Sequence, residues 1–487
     1  CPPTGAGLTT PECGPPADVS TSAEAGSLQQ PSVSNDPLSA PILNFAGIGY
    51  TGFAPPDPNG AVGPNHYIQT VNMAFAIYDK SGVLLVGPIN INQLWASLPT
   101  DPCWLNPGGD PIVLYDHLAN RWFLSQMVAF TNECIAISQT PNPVTGGWFL
   151  YDFPTPVVND YPKFGLWPDA YYMGTNRGYP GGDAWAFDRA QMLLGNPATF
   201  IRFATPVDGG APSVFMMPSV LKGPPPPAGS PNIFIRFIDD GEFGGFDRLQ
   251  LVAFHVDFSN PPASTFTPLP VLATNPFNSN LNGYGMRNPY VPQPGTAQLL
   301  DTLRGEPMYP LLYRNFLGYE TLAFSHDVEI SGRAGIRWYE LRKVGLGPWL
   351  IFQQGDYSPD ATHRWMGSLS MDKLGDIALG YSVSSTSVFP GIRYTGRLAS
   401  DPAGTMTQPE QTLFAGTGSQ GWSRRWGDYS AMQIDPADDC TFWYTNEWIP
   451  ASGLWNTRIG TFRFSECGQP LTTGVTSGSG TVTPNYP

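Results

Sequence analysis

Charge is scarce in this chain. Only 13% of its 487 residues are Asp, Glu, Lys or Arg, and the formal net charge is -15. No Lys/Arg cluster occurs, and an acidic surface repels phosphate backbones, so nucleic acid is excluded as a partner. Long apolar runs are also lacking. No stretch of about 18 apolar residues exists to form a transmembrane segment. Helical periodicity is nearly absent, and AFDRAQMLLG (186–195) is the one good helical turn.

Catalytic signatures are missing as well. There is no Gly-x-Ser-x-Gly, His-Glu-x-x-His, P-loop or dinucleotide fingerprint. The five histidines (His66, His117, His255, His326, His363) lie far apart, without the spacing of a multi-His copper or iron centre. No Cys-x-x-Cys pair occurs, which argues against zinc. Their order along the chain pairs the six cysteines as disulfides Cys1–Cys13, Cys103–Cys134 and Cys440–Cys467, in an oxidising compartment. Each would close a loop of about 10 to 30 residues and contribute about 2–4 kcal/mol. Cys1 has a second reading. An N-terminal Cys before a Pro/Ser/Gly-rich tether also fits the lipid anchor of a mature bacterial lipoprotein. Either way, the protein is expected to be secreted or held at the cell surface.

Glycine (54), proline (53) and aromatic residues (13%) are what the chain does have. Disordered proteins lack aromatics, so this is a folded, turn-rich chain of short strands. Residues 1–42 and 470–487 read as Pro/Ser/Thr-rich and Gly/Ser/Thr-rich tethers flanking a single domain, 43–469.

A repeat organises that domain. Turn or charged residues precede aromatic-rich strands at Asp57, Asp110, Asp160, Pro212, Arg314, Arg364 and Arg425, in steps of 53, 50, 52, 102, 50 and 61 residues. A unit of about 50 residues with several short strands is the signature of a propeller blade. The fold class is therefore all-β, a single β-propeller of seven blades. The double step is an insertion at 270–308, or an eighth blade. The tryptophans are expected to wedge between blades.

In a propeller, residues just before the innermost strands ring the mouth of a central funnel. This register puts Asp57, Asp110 and Asp160 on one arc, and Arg314, Arg364 and Arg425 on the other. Three uses compete: ion pairs that close the ring, an anion site made by the Arg forks, and a calcium site made by the three Asp. Calcium is the one cofactor the chain suggests. His363, beside Arg364, is a candidate acid/base at the ligand-binding mouth. The acidic loop DDGEFGGFD (239–247) is a second calcium candidate, and DPADD (435–439) reads as a hairpin turn.

Two resemblances follow from these residues. Three arginines with the adjacent pair Tyr319–Glu320, and Asp57 or Asp110 as the acid, resemble the sialidase superfamily in architecture. That family's Asp-box is present only in the degenerate form SMDKLGDIAL (370–379). Longer segments are similar to a functionally unassigned family of secreted bacterial β-propeller proteins. These are PPDPNGAVGPNHYIQTVN (55–72), DPIVLYDHLANRWFLSQ (110–126), HRWMGSLSMDKLGDIALGYS (363–382) and RWGDYSAMQIDPADDCTFWYTNEW (425–448). The resemblance implies an extracellular propeller module and no particular activity.

Two functions follow. The first is a non-catalytic binding or assembly module for an extracellular glycan or protein, self-associating through its tails. The alternative is a glycan-processing hydrolase or lyase acting on acidic sugars at the arginine arc.

Overall fold

The computed structural model describes residues 12–13, 38–128, 130–178, 180–208, 210–285 and 287–467. The expected C-terminal tether and most of the N-terminal one lie outside these residues, as does Cys1 with its pairing to Cys13.

Four-stranded antiparallel units follow one another along the chain, the fourth and fifth joined into one sheet by parallel pairing of their inner strands. Each is numbered here as a blade, with its strands running from the centre outward. Blade 1 comprises Asn59–Val62, His66–Val71, Ala74–Asp79 and Leu84–Asn90. Blade 2 comprises Gly109–Asp116, Arg121–Val128, Asn132–Ser138 and Trp148–Pro154. Blade 3 comprises Asp160–Leu166, Ala170–Asn176, Gly182–Asp188 and Phe200–Ala204. Blade 4 comprises Met217–Lys222, Asn232–Ile238, Arg248–His255 and Thr265–Pro268. Blade 5 comprises Met308–Asn315, Glu320–Ile330, Arg333–Lys343 and Leu350–Tyr357. Blade 6 comprises His363–Met371, Ile377–Ser384, Gly391–Arg397 and Gln411–Phe414. Blade 7 comprises Ala431–Ile434, Phe442–Trp448 and Asn456–Phe462, and its outer strand, Leu43–Gly49, comes from the other end of the chain.

The first strands touch in a closed ring, with blade 7 against blade 1. This is a β-propeller. Sharing blade 7 between the two chain ends closes the ring without leaving a free seam. The insertion contributes a two-stranded hairpin, Arg287–Val291 and Leu300–Leu303, rather than a blade.

The inner strands are buried on both faces, so they read as continuous apolar runs, such as Ile112, Val113 and Leu114, rather than as alternation. Aromatic rings fill the gaps between blades as expected. Phe123 meets Phe164 across blades 2 and 3 at 4.7 Å, and Tyr67 stacks on Trp443 across blades 1 and 7 at 5.0 Å. At the far end of the inner strands, Asp or Asn side chains close the turn to the second strand. Asp116 accepts from the Ala119 N–H (3.0 Å), Asn315 from Leu317 (2.9 Å), Asp372 from Leu374 (2.9 Å) and Asp435 from Ala437 (3.0 Å). DPADD is thus the expected hairpin turn. The expected helical turn is Arg189–Leu194, capped by Asp188, whose side chain accepts from Gln191 N–H, and ended by Gly195 at φ 72°.

Disulfides join Cys103 to Cys134 and Cys440 to Cys467.

Candidate functional site

The face where the inner strands begin is shaped by a repeated backbone device. Asp57, Asp110, Tyr161, Met366 and Asp428 all have positive φ, between 48° and 56°. Pairing slips beside this point in blades 2, 3 and 6, between Gly109 and Ile112, Asp160 and Lys163, and Trp365 and Ser368. Such bulges re-aim side chains that would otherwise follow the pleat.

Asp57, Asp110 and Asp428 are buried on this face and act on one another's charge. Asp57 and Asp110 lie close enough for each to act on the other's proton affinity. Burial raises both affinities, and the Asp428 charge raises them further. Asn72 orders the pair. Its amide donates to Asp57 Oδ2 (2.9 Å), and its carbonyl accepts from the Asp110 N–H (2.8 Å). Countercharge is already built in. Lys163 Nζ sits 3.4 Å from the Tyr161 ring centre and 3.8 Å from that of Tyr429, and burial lowers its pKa to about 8. Arg287, from the inserted hairpin, reaches Asp428 at 2.8 Å.

The structure separates the residues that the repeat had grouped. Asp57, Asp110 and Asp160 do not form a calcium triad: among the described residues, their oxygens do not come within 4.8 Å of one another as a set of three. The Asp428 charge acts on both Asp57 and Asp110, but the oxygens of these three do not come within 4.8 Å of one another either. The three arginines each lie within ion-pair distance of a carboxylate. Arg314 lies at the far end of its inner strand, paired with Asp439 and donating to the Met371 carbonyl. Arg364 is held by Asp360 and Glu410, each at 2.8 Å. Arg425 lies near Asp428 (3.0 Å) and Asp301 (3.4 Å). Ion pairing has taken all three.

Glu320, of the Tyr319–Glu320 pair, is bound by Tyr313 and Lys343 near Arg314, so the sialidase-like constellation is not assembled. His363 accepts from the Ala334 N–H (3.2 Å), and burial lowers its pKa to about 4. In the acidic loop, Asp239, Asp240 and Asp247 do approach within 4.8 Å of one another. However, Asp239 accepts from Gly241 and Ser279, and Asp247 from Asp240 and Phe277. These bonds pin the start of the insertion to blade 4.

Asp160 looks elsewhere, into a cavity of about 390 Å³ over blades 3 to 5. Asn176, Arg236, Glu242 and Glu306 share the wall, and Tyr284, Gly285 and Arg304 of the insertion help to line it. Asp160 and Asn176 are cross-strand partners. Asn176 donates to Glu306 Oε1 (3.3 Å), while Glu306 Oε2 has no partner among the described residues. Burial pushes the Glu306 carboxyl up to about 8, and the Asp160 charge adds to the rise. Glu306 therefore keeps its proton at neutral pH. Arg304 is tied to Glu242 at 2.6 Å.

A second cavity, of about 180 Å³, includes Tyr313, Glu320, Lys343 and Trp349 in its wall. Its charges are already matched, Lys343 to Glu320 at 2.8 Å.

Sequence reasoning missed Glu306, Arg236, Lys163, Arg287 and Asp428. A signal for the register was available: Asp57-Pro58, Asp110-Pro111, Tyr161-Pro162, Met217-Pro218 and Tyr309-Pro310 mark the start of five inner strands. Read that way, Glu306 falls just before blade 5 rather than inside the insertion.

No family model matches the sequence, and no curated protein matches it. Solved structures similar to it include Drosophila Semaphorin 1a, extracellular domains 1–2, at 7% identity and TM-score 0.41, covering 89% of this chain and 90% of that one. A protein of unknown function from Dyadobacter fermentans is 10% identical at TM-score 0.38, covering 88% and 96%. The endo-arabinase from Bacteroides thetaiotaomicron is 12% identical at TM-score 0.30, covering 61% and 95%. Likenesses this distant carry no chemistry to the chain. Its assignment as a β-propeller rests on its own ring of sheets.

Proposed function

We propose that the protein cleaves glycosidic bonds of extracellular glycans in the cavity over blades 3 to 5, with Glu306 as proton donor and Asp160 as the partner carboxylate. One observation carries this reading. Glu306 is a buried carboxyl held up to about 8 in the same cavity as a second carboxyl, Asp160. Glycoside cleavage uses two carboxyl groups whose environments push their proton affinities apart. Glu306 protonates the departing glycosidic oxygen. Asp160 attacks the anomeric carbon or activates a water. Asn176 fixes the Glu306 carboxyl by its hydrogen bond. The cavity falls within the range of about 300–1,000 Å³ usual for small-molecule sites. The two disulfides support an extracellular setting.

Reducing-end release over a panel of polysaccharides tests the reading. Glu306→Gln and Asp160→Asn are each expected to lower kcat roughly 100- to 10,000-fold. Undiminished turnover in Glu306→Gln would overturn the assignment.

A non-catalytic binding or assembly module is the second reading. It is supported by the ion pairs Arg287–Asp428 and Arg304–Glu242, which tie the insertion to the blades around the cavity. Saturable glycan binding without release of any product would favour it.

A further inference from the structure

Arg236 stands out among the buried arginines. Its side chain is in the second strand of blade 4, and the residue is 2% exposed. Arg248, Arg304, Arg314, Arg337, Arg364 and Arg425 each lie within ion-pair distance of a carboxylate. Arg236 forms no such pair among the described residues. Its three bonds go to neutral oxygens: Nε to Gln250 Oε1 (2.6 Å), and the two terminal nitrogens to the carbonyls of Pro212 and Pro206. Arg397 is also buried without an ion pair, but it lines neither cavity.

Two nearby carboxylates are committed elsewhere. Asp208 is taken by Arg248 at 2.9 Å, and Glu242 by Arg304 at 2.6 Å. Glu306, on the same cavity wall, holds its proton. The bonds to Gln250, Pro212 and Pro206 use three of the five guanidinium N–H groups. A buried charge without a counter-charge is costly, and an anionic ligand removes the cost. The guanidinium is planar and suits a carboxylate better than a neutral hydroxyl.

We infer that the cavity takes a uronic-acid residue, whose carboxylate docks on Arg236. This rests on the glycan reading above and names the substrate class of the same site. Docking on blade 4 orients the sugar ring toward Asp160 of blade 3 and Glu306 at the start of blade 5.

The test is calorimetric titration of the full chain with galacturonate and glucuronate oligosaccharides, their methyl esters, and neutral galactan oligomers. The free acid of one uronate series should bind about 10- to 100-fold tighter than its ester. Arg236→Gln should erase that difference. Equal affinity for acid and ester overturns the inference, as does an acid preference that survives Arg236→Gln. The acid–ester comparison needs only the unaltered protein, so it decides even if the variant does not fold. The two readings fail separately. Acid preference without bond cleavage overturns the hydrolase and leaves Arg236 its ligand. Cleavage of neutral glycans without acid preference does the reverse.

Discussion

Arg287 reaches 2.8 Å across the top of the channel to Asp428, joining an inserted hairpin to the blade that closes the ring. Asp428 is buried and Arg287 is only 11% exposed, so the pair is little screened by solvent. Arg287→Ala strips Asp428 of one of its two arginines. It should cost about 3 kcal/mol. Urea denaturation measures the loss, and hydrogen exchange should rise in 287–303 before the blades open.

Stability should fall from acid to mildly alkaline pH. Burial raises Glu306 from 4.5 to about 8 and Asp327 from 3.8 to about 7. Both carboxyls keep their protons in the folded state after the unfolded chain has lost them. The stability they contribute is full below about 4, declines as pH rises, and is gone by about pH 8. Melting temperature measured from pH 4 to pH 9 should decrease over that window. Glu306→Gln should flatten the curve, and an unchanged slope would contradict the assigned shift.

Arg364 is fully buried and binds Asp360 and Glu410 bidentately. Arg364→Ala should destabilise the fold by about 3 kcal/mol, because it empties a buried site and leaves Glu410 only Arg393 and Tyr381. Glycan affinity at the cavity should not change. A loss of affinity at unchanged stability would restore the arginine arc as a binding site.

Leu43–Gly49 completes blade 7 by pairing with Asn456–Phe462, tying the two chain ends together. A chain starting at residue 50 leaves blade 7 with three strands and an open edge. It should aggregate or lose cooperative unfolding, as followed by light scattering and calorimetry. Breaking the neighbouring Cys440–Cys467 bond should cost less, about 2–4 kcal/mol.

Much of the architecture was legible in the residues. The spacing of about 50 residues, the turn chemistry of Asp435–Asp439 and the aromatic wedges all report local geometry or burial. Asp57 and Asp110 are legible because both sit at the positive-φ position where an inner strand begins, at φ 48° and 50°. Arg314 was misplaced because a charged landmark does not reveal strand direction. It is the seventh of eight residues in its strand, so its side chain emerges at the opposite end. Glu306 was hidden because the end of the insertion and the start of blade 5 run together without a break.

The sequence alone therefore determined a propeller with a disulfide framework, since strand length, turns and cysteine order are properties of short chain segments. Tertiary structure decided the chemistry. Whether a carboxyl keeps its proton, as Glu306 does, or a guanidinium lacks a counter-charge, as Arg236 does, depends on what distant blades bring within a few ångströms. Burial and charge are set by that convergence and not by neighbours along the chain.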